Sequence, residues 1–176
     1  MTLLTPKYSL WLRPIQIQID EFSNIISELA HRNRTTPFPP HITLLSGLTS
    51  ELNSIKQACE KIIDRIHNFE IPMQNIAYTA EFYRNLYILA ETTSVLETLY
   101  EEIKCELNYK DNDKFAPHLS LLYGELDLKT KKCLKDELNG CYSKSFKCIR
   151  LDIYNTTREI KNWHLIHSYE FSQPKK

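Results

Sequence analysis

Residues 38–47 read Phe-Pro-Pro-His-Ile-Thr-Leu-Leu-Ser-Gly, and residues 115–124 repeat this phrase as Phe-Ala-Pro-His-Leu-Ser-Leu-Leu-Tyr-Gly. Six of the ten positions are identical, and the Ile/Leu and Thr/Ser exchanges are conservative. The chain has only three glycines, and two of them close the two phrases. A phrase that recurs after about 77 residues indicates the duplication of a supersecondary unit, not a solenoid array.

Each phrase predicts a short buried strand. The proline before each histidine cannot donate to a sheet ladder, so we place it at the start of the strand. Side chains alternate across a strand, so His41 and Thr43 share one face, and His118 and Ser120 share the corresponding face of the second copy. Each copy therefore sets an imidazole beside a hydroxyl, with aliphatic side chains on the opposite face.

The repeated pair of polar groups favours a site over a structural role. A single histidine in a strand is usually a satisfied core or edge residue. Packing alone, however, does not require an imidazole and a hydroxyl at the same offset twice. We therefore expect the four groups to converge on one cleft between two lobes, where convergent titratable groups indicate chemistry.

Two His-x-Ser/Thr motifs at this separation resemble those of the 2H phosphoesterase superfamily. Within it, the chain is most similar to the cyclic phosphodiesterases of plants and yeast. The likeness includes Tyr-Ser-Leu-Trp-Leu-Arg-Pro at 8–14, Pro-His-Leu-Ser-Leu-Leu-Tyr at 117–123 and the late pair Asn162-Trp163. It spans nearly the whole chain, and it is specific at the two motifs and loose between them.

Composition bounds the class of protein. A chain of 176 residues suits a single domain over 1–176 with its own core. Lys+Arg and Asp+Glu both number 22, and this neutral balance argues against tight binding of long nucleic acid. The five cysteines are scattered, without a Cys-x-x-Cys pair, so we expect reduced thiols in a cytoplasmic monomer. The sequence has no apolar run long enough to predict a membrane span and no signal-peptide pattern, so we do not expect export.

Periodicity predicts the other elements. The expected helices cover 20–30, 50–67, 94–107 and 128–138, and the expected strands cover 7–14, 69–73, 76–82, 85–91, 146–154 and 163–171. Ser94 with Glu97 is read as a capping box that opens the third helix. Residues 31–40, 108–114 and 155–161 are expected to be polar connectors.

These elements predict an α+β fold. We expect two lobes related by a pseudo-twofold axis, each with a mostly antiparallel sheet that faces a central cleft and with helices outside. The family resemblance implies the same arrangement.

Residue types suggest the chemistry of that cleft. Hydrolysis of a cyclic phosphodiester requires a deprotonated water and a protonated leaving oxygen, and two histidines can perform these steps without a metal or cofactor. Thr43 and Ser120 are expected to bind the phosphate. The sequence is symmetric with respect to the two roles, whereas the resemblance implies that His118 activates water and His41 protonates the leaving oxygen.

Zinc is disfavoured because no carboxylate or thiolate stands at a fixed offset in both copies. His164 and His167 would share a face only on a helix, and we assign them, with His31 and His67, to structural positions.

Aromatic side chains are candidates for substrate contact. The resemblance implies that Tyr123 contacts the substrate, and Trp11, Phe82 and Tyr83 are candidates for a wall that stacks on a nucleobase, although strand aromatics are often core residues. Arg13, Arg34 and Arg84 are possible phosphate contacts, but a surface position is the usual state of arginine.

Three functions follow from these observations. The first is a metal-independent cyclic phosphodiesterase that opens 2′,3′-cyclic nucleotides, leaving a 2′-phosphate as the resemblance implies, or the cyclic phosphate of ADP-ribose. The second is a related activity on short RNA ends or cyclic oligonucleotide signals. The third is a nucleotide-binding module without catalysis, which the intact His and hydroxyl of both motifs disfavour.

Overall fold

The computed structural model describes residues 7–110, 114–157 and 159–173. The helices are α1 Gln16–Asn33, α2 Leu52–Ile63, α3 Ser94–Glu106 and α4 Leu128–Leu138. The strands are β1 Tyr8–Pro14, β2 Ile42–Leu48, β3 Phe69–Tyr78, β4 Leu86–Ala90, β5 His118–Leu122, β6 Ser145–Asn155 and β7 His164–Glu170. Two short 3₁₀ turns cover Phe82–Arg84 and Ile160–Asn162. The named strands pair antiparallel, so the predicted α+β class is confirmed.

The strands form two lobes with the same connectivity. In one lobe β1 lies between β2 and β6, and β7 adds to β6. In the other lobe β4 lies between β5 and β3. Two successive β-α-β-α-β units, β1 to β3 and β4 to β6, therefore occupy equivalent positions and exchange their last strands between lobes. This exchange confirms the predicted pseudo-twofold duplication.

The lobes are joined at two places. β2 meets β5 at the pair Ile42–Leu119, and β3 pairs with β6 between Phe69–Cys148 and Pro72–Ser145. These two contacts join the seven strands in the order β1-β2-β5-β4-β3-β6-β7. The β1–β6 pairing closes the first six strands of this order into a ring, and β7 adds to its β6 strand.

The helices cover the sheets with the predicted apolar stripes. In α1 the side chains of Phe22, Ile26 and Leu29 are almost fully buried. This helix is longer than the predicted 20–30, and its C-cap residue, Arg34, adopts a left-handed conformation (φ 55°). α2 is shorter than the predicted 50–67, and Ile66 joins the core from the turn that follows it.

Two local predictions need correction. The capping box at Ser94 is displaced by one residue, because Thr93 has the extended N-cap conformation and its hydroxyl accepts from Leu96 N at 3.3 Å. The two strands predicted for 69–73 and 76–82 form the single strand β3, with an irregularity between Met73 and Ile76. The predicted connectors 108–114 and 155–161 include residues 111–113 and 158, which lie outside the described residues.

Both glycines that close the repeated phrases have positive φ, for different reasons. Gly47 (φ 68°) lies within β2 where the register with β1 shifts, as in a β-bulge. Gly124 (φ 141°) follows β5, and a Cβ placed there would lie 3.0 Å from Thr35 Cγ2. A side chain at either position would strain the backbone beside the cleft.

None of the helices within the described residues combines the length and apolar character that crossing a bilayer requires.

Candidate active site

A cleft of about 440 Å³ opens between the lobes. Its lining includes six of the eight residues predicted for the site: Trp11, His41, Thr43, Tyr83, His118 and Tyr123. The other lining residues are Lys7, Ser9, Ser46, Gly47, Glu81, Arg84, Thr156 and Trp163. The structure therefore brings both histidines to one surface, as predicted.

The pairing of Ile42 with Leu119 explains how the histidines meet. If this antiparallel register is extended by one residue in each direction, His41 faces Ser120 and His118 faces Thr43. The two histidines are then diagonal neighbours on one face, a relation that places residues of regular strands about 7–8 Å apart. Consistent with this proximity, the pKa of His41 is lowered mainly by burial and also by the charge of His118.

His41 is held deep in the wall of the cleft. Its side chain is nearly fully buried, and its Nδ1 lies 2.6 Å from the Pro39 carbonyl oxygen. Its ring stacks on the indole of Trp11, with centroids 3.6 Å apart and planes at 9°. Burial lowers the pKa of His41 from its ordinary value of 6.5 to about 3, against the hydrogen bond to Pro39, which raises it.

His118 repeats this local geometry in the second lobe. Its Nδ1 lies 2.9 Å from the Ala116 carbonyl oxygen, and the ring of Tyr87 meets it edge-on at 5.1 Å. Burial lowers the pKa of His118, and the nearby Arg84 lowers it further, whereas the hydrogen bond to Ala116 raises it.

The two anchors fix the tautomer of both rings. A carbonyl oxygen can only accept, so Nδ1 carries the hydrogen in His41 and in His118 and donates it to the residue two positions earlier. Nε2 is then the nitrogen of each ring that can accept or donate a proton at the cleft. Neutral rings of this tautomer are poised for acid–base chemistry.

The hydroxyls of the two motifs differ in their environments. Thr43 lines the cleft, and its hydroxyl has no hydrogen-bond partner among the described residues. Ser120 is 5% exposed, lies outside the described lining of the cleft and donates to the Tyr83 carbonyl at 3.2 Å. To bind phosphate as predicted, the Ser120 hydroxyl would have to leave this carbonyl, so the geometry does not support the predicted symmetry.

The chain is similar to known proteins over nearly its whole length. Residues 7–171 match the family described as cyclic phosphodiesterase-like protein. The chain belongs to this family. A cyclic phosphodiesterase of Arabidopsis thaliana is 26% identical over 161 residues, which cover 88% of this chain and 87% of the relative.

Solved structures share the fold. A Thermus thermophilus protein, TT0787, has a TM-score of 0.66 at 10% identity, covering 96% of this chain and 100% of that one. Escherichia coli LigT complexed with 3′-AMP has a TM-score of 0.61 at 12% identity, covering 96% and 99%. The predicted membership in the 2H phosphoesterases, of the cyclic phosphodiesterase type, is confirmed, and these structures agree with the predicted fold.

Trp11, which was predicted to form part of a wall that stacks on a nucleobase, is packed on both faces of its indole. Its side chain is 2% exposed, and Tyr154 stacks on it from the β6 side at 3.9 Å while His41 stacks from the β2 side. Both faces of the indole are therefore covered, and no nucleobase can stack on it. Trp11 positions His41 instead.

Tyr123 lines the cleft, but most of its side chain is buried against neighbouring residues. It is 5% exposed, and its ring stacks on Phe38 at 3.7 Å. Burial raises the pKa of its phenol, while its hydrogen bond with Ser120 lowers it. Because its pKa is raised, the Tyr123 hydroxyl is neutral at pH 7.

Exposed aromatic surface in the cleft comes from two other residues. Tyr83 is 55% exposed and lines the cleft, as the predicted stacking wall requires. Trp163 lies 6.0 Å from it, with the ring planes at 31°. Phe82 is 43% exposed but packs edge-on to Tyr83 outside the described lining of the cleft. The sequence analysis named Trp163 among the residues that carry the family resemblance, but it did not predict Trp163 as a site residue.

A buried ion pair supports the segment before β2. Arg13 is 5% exposed, and its Nη1 donates to the Pro40 carbonyl at 2.6 Å. Its Nε lies 3.5 Å from the fully buried Asp152, which also accepts from Ser168 at 2.5 Å. Arg13 thereby fixes the residue immediately before His41. Alternation in β1 places Arg13 on the same face as Trp11, a signal that the sequence interpretation did not use.

Across the described ranges, no three His, Cys, Asp or Glu side chains come together as a metal site requires. His164 lies 3.0 Å from the Asn162 carbonyl through Nδ1, and His167 packs on Tyr169. The five cysteines are free, and Cys59 and Cys148 are buried.

Proposed function

We propose that this chain is a metal-independent cyclic phosphodiesterase that hydrolyses 2′,3′-cyclic nucleotides to 2′-phosphates, or ADP-ribose 1″,2″-cyclic phosphate. The main support is geometric: His41 and His118 line one cleft, and each ring is held by its own backbone in the tautomer that directs Nε2 toward substrate. The family and the named activity of the Arabidopsis relative agree with this choice.

The reaction requires one proton transfer at each histidine. His118 Nε2 takes a proton from water as the water oxygen bonds to phosphorus. The bond from phosphorus to the 3′-oxygen breaks, and His41 Nε2 donates its proton to that oxygen. The products are the 2′-phosphomonoester and a free 3′-hydroxyl, and exchange with solvent restores the starting protonation of both rings.

Burial lowers the pKa of both rings, which directly suits only the role of His118 as the base. Arg84 beside His118 disfavours its protonation, as a general base requires. The indole face of Trp11 beneath His41 attracts a cation, as a general acid requires. In the empty cleft the pKa of His41 is low, so the negative charge of bound phosphate must raise it before His41 can act as the acid.

The rest of the cleft suits a small nucleotide. The Thr43 hydroxyl can donate to a phosphoryl oxygen, and the exposed ring of Tyr83 can stack on a base. A volume of about 440 Å³ accommodates such a ligand. The free cysteines favour a reducing cytoplasmic location.

The test is hydrolysis of 2′,3′-cyclic AMP and ADP-ribose cyclic phosphate in excess EDTA, with 2′- and 3′-phosphate products separated by chromatography. We expect the unsubstituted protein to keep its turnover in EDTA. In His41→Ala and in His118→Ala, turnover should fall by about 10²–10⁴-fold. His164→Ala is the matched control, because His164 has the same contact to its own backbone but lies outside the described lining. Loss of turnover in EDTA, or full activity in either motif variant, would refute the proposal.

A further inference from the structure

We infer that Arg84 binds the reacting phosphate from the side of His118, at the position the sequence pattern assigned to Ser120. Arg84 ends the 3₁₀ turn Phe82–Arg84 between β3 and β4, and it lines the cleft. The inference rests on the proposed function for the reaction it assists, but the anion binding itself can be tested separately.

The guanidinium of Arg84 and the imidazole of His118 both contact the aromatic ring of Tyr87. The guanidinium carbon of Arg84 is 4.9 Å from the centroid of Tyr87, and the ring of His118 meets Tyr87 edge-on at 5.1 Å. Tyr87 is opposite Ser120 in the β4–β5 register. A phosphate within reach of His118 is therefore also close to the charge of Arg84.

The charge of Arg84 is not neutralised by an ion pair in the described part of the chain. Within the described residues no carboxylate lies within ion-pair distance of its guanidinium, and its Nε is buried without a hydrogen-bond partner. Glu81 lines the same cleft but makes no ion pair with Arg84 in the described part of the chain. A partly buried guanidinium is normally paired, so these donors indicate an anion supplied by a ligand.

The turn that presents Arg84 is fixed by hydrogen bonds from distant elements. Ser120 donates to the Tyr83 carbonyl, and the Gly124 amide donates to the Phe82 carbonyl at 3.0 Å. The Thr79 hydroxyl donates to the Arg84 carbonyl at 2.6 Å, and the buried Lys131 donates to the Thr79 carbonyl at 2.8 Å. The second repeated phrase thus positions the turn, and Ser120 contributes by holding Tyr83 and not by touching phosphate.

A guanidinium held in this way matches the charge of the reaction. Two of its N–H groups can donate to non-bridging phosphoryl oxygens, where negative charge accumulates during attack by water. Burial is the main cause of the lowered pKa of His118, and the same cation lowers that pKa further, whereas Glu81 raises it. Arg84 is therefore suited both to bind the substrate and to keep the base ready.

The test measures binding of inorganic phosphate by NMR of the His118 Hε1 signal, together with turnover of 2′,3′-cyclic AMP, in Arg84→Gln and Arg84→Met. We expect phosphate affinity to fall at least tenfold, kcat/KM to fall about 10²-fold and the pKa of His118 to rise. Added guanidinium ion is expected to restore part of the turnover. Arg65→Gln is the control, because Arg65 pairs with Glu102 on the surface at 3.0 Å.

The two proposals fail in different ways. If no cyclic phosphate is hydrolysed but phosphate affinity falls in Arg84→Gln, the proposed function fails and this inference stands. If the unsubstituted protein turns over and both Arg84 variants keep its phosphate affinity, this inference is overturned alone. Arg84→Met preserves packing on Tyr87, so a folded variant with unchanged affinity would be decisive.

Discussion

The imidazole of His41 lies flat on the indole of Trp11, with ring centroids 3.6 Å apart and planes at 9°. Strand β1 thereby supplies a rigid surface for a histidine that precedes β2. Because Tyr154 covers the other face of the indole, the position of His41 depends on three neighbouring strands packed in register.

Replacement of Trp11 by Leu removes this support while leaving Nε2 of His41 present. We expect kcat to fall by about 10²-fold, because a displacement of about 1 Å at a reacting group can cost that much. The relative KM values for adenine and uracil cyclic nucleotides should stay the same. Steady-state kinetics on both substrates is the check, and a base-dependent change in KM at constant kcat would show that Trp11 contacts the base.

Tyr83 is expected to bind the base. Because stacking on an aromatic side chain contributes about 1–3 kcal/mol per base, Tyr83→Ala should raise KM for cyclic nucleotides about tenfold or more with a small effect on kcat. Phe82→Ala is the matched control, since Phe82 is exposed beside Tyr83 but outside the described lining. Equal effects of the two variants would contradict a specific role for Tyr83.

The ion pair of Arg13 with Asp152 is expected to support both stability and catalysis. Arg13→Met leaves the buried carboxylate of Asp152 with Arg150 at 3.5 Å and the hydroxyl of Ser168 as partners. The loss of unfolding free energy should therefore be smaller than the about 3–5 kcal/mol that removing a sole buried partner typically costs. The substitution also removes the donor to the Pro40 carbonyl, so kcat should fall. Denaturant unfolding measures the first effect. In the double variant Arg13→Met/Asp152→Leu, the unfolding free energy should partly recover while kcat stays low. Recovery of both quantities would show that Arg13 affects kcat only through stability.

The buried state of His41 makes stability depend on pH. Its folded pKa, about 3, lies below the ordinary 6.5, so between these values the unfolded chain binds more protons than the folded chain. The contribution of His41 is therefore complete above pH 6.5 and is lost as the pH falls toward 3, at up to about 1.4 kcal/mol per pH unit.

Urea unfolding at pH 7 and pH 5 measures the total loss of unfolding free energy. Other titrating groups contribute to this total, so a variant of His41 is needed to isolate its share. His41→Asn retains a side-chain donor for the Pro39 carbonyl but does not titrate. The difference in unfolding free energy between the two pH values should be smaller in this variant than in the unsubstituted protein. An identical difference would show that His41 is not buried as a neutral ring.

The repeated phrase, together with the periodicity of the other segments, predicted the two-lobed α+β fold. Its alternation placed the histidines and Thr43 on the cleft face, and duplication predicted two lobes. Alternation alone, however, cannot show which hydroxyl a distant backbone will engage. Ser120 has the same offset as Thr43, yet it donates to Tyr83, which is 37 positions away.

The aromatic and cationic residues were harder to assign for a related reason. Trp11 and Tyr83 both looked like candidates for base stacking, and only packing shows that one is covered on both faces and the other is exposed. Arg84 belongs to a turn without a sequence motif, which long-range hydrogen bonds hold at the cleft. Burial and partners at such positions are set by tertiary structure, so local pattern does not reveal them.

The central claim is that both imidazoles meet one phosphate. Titration of the protein with inorganic phosphate, monitored by the Hε1 signals of His41 and His118 in EDTA, tests it most directly. We predict that both signals move along one saturation curve with a single Kd and that the pKa of both rings rises on binding, while His164 does not respond. Movement of only one ring, or two curves with different Kd values, would contradict a shared site.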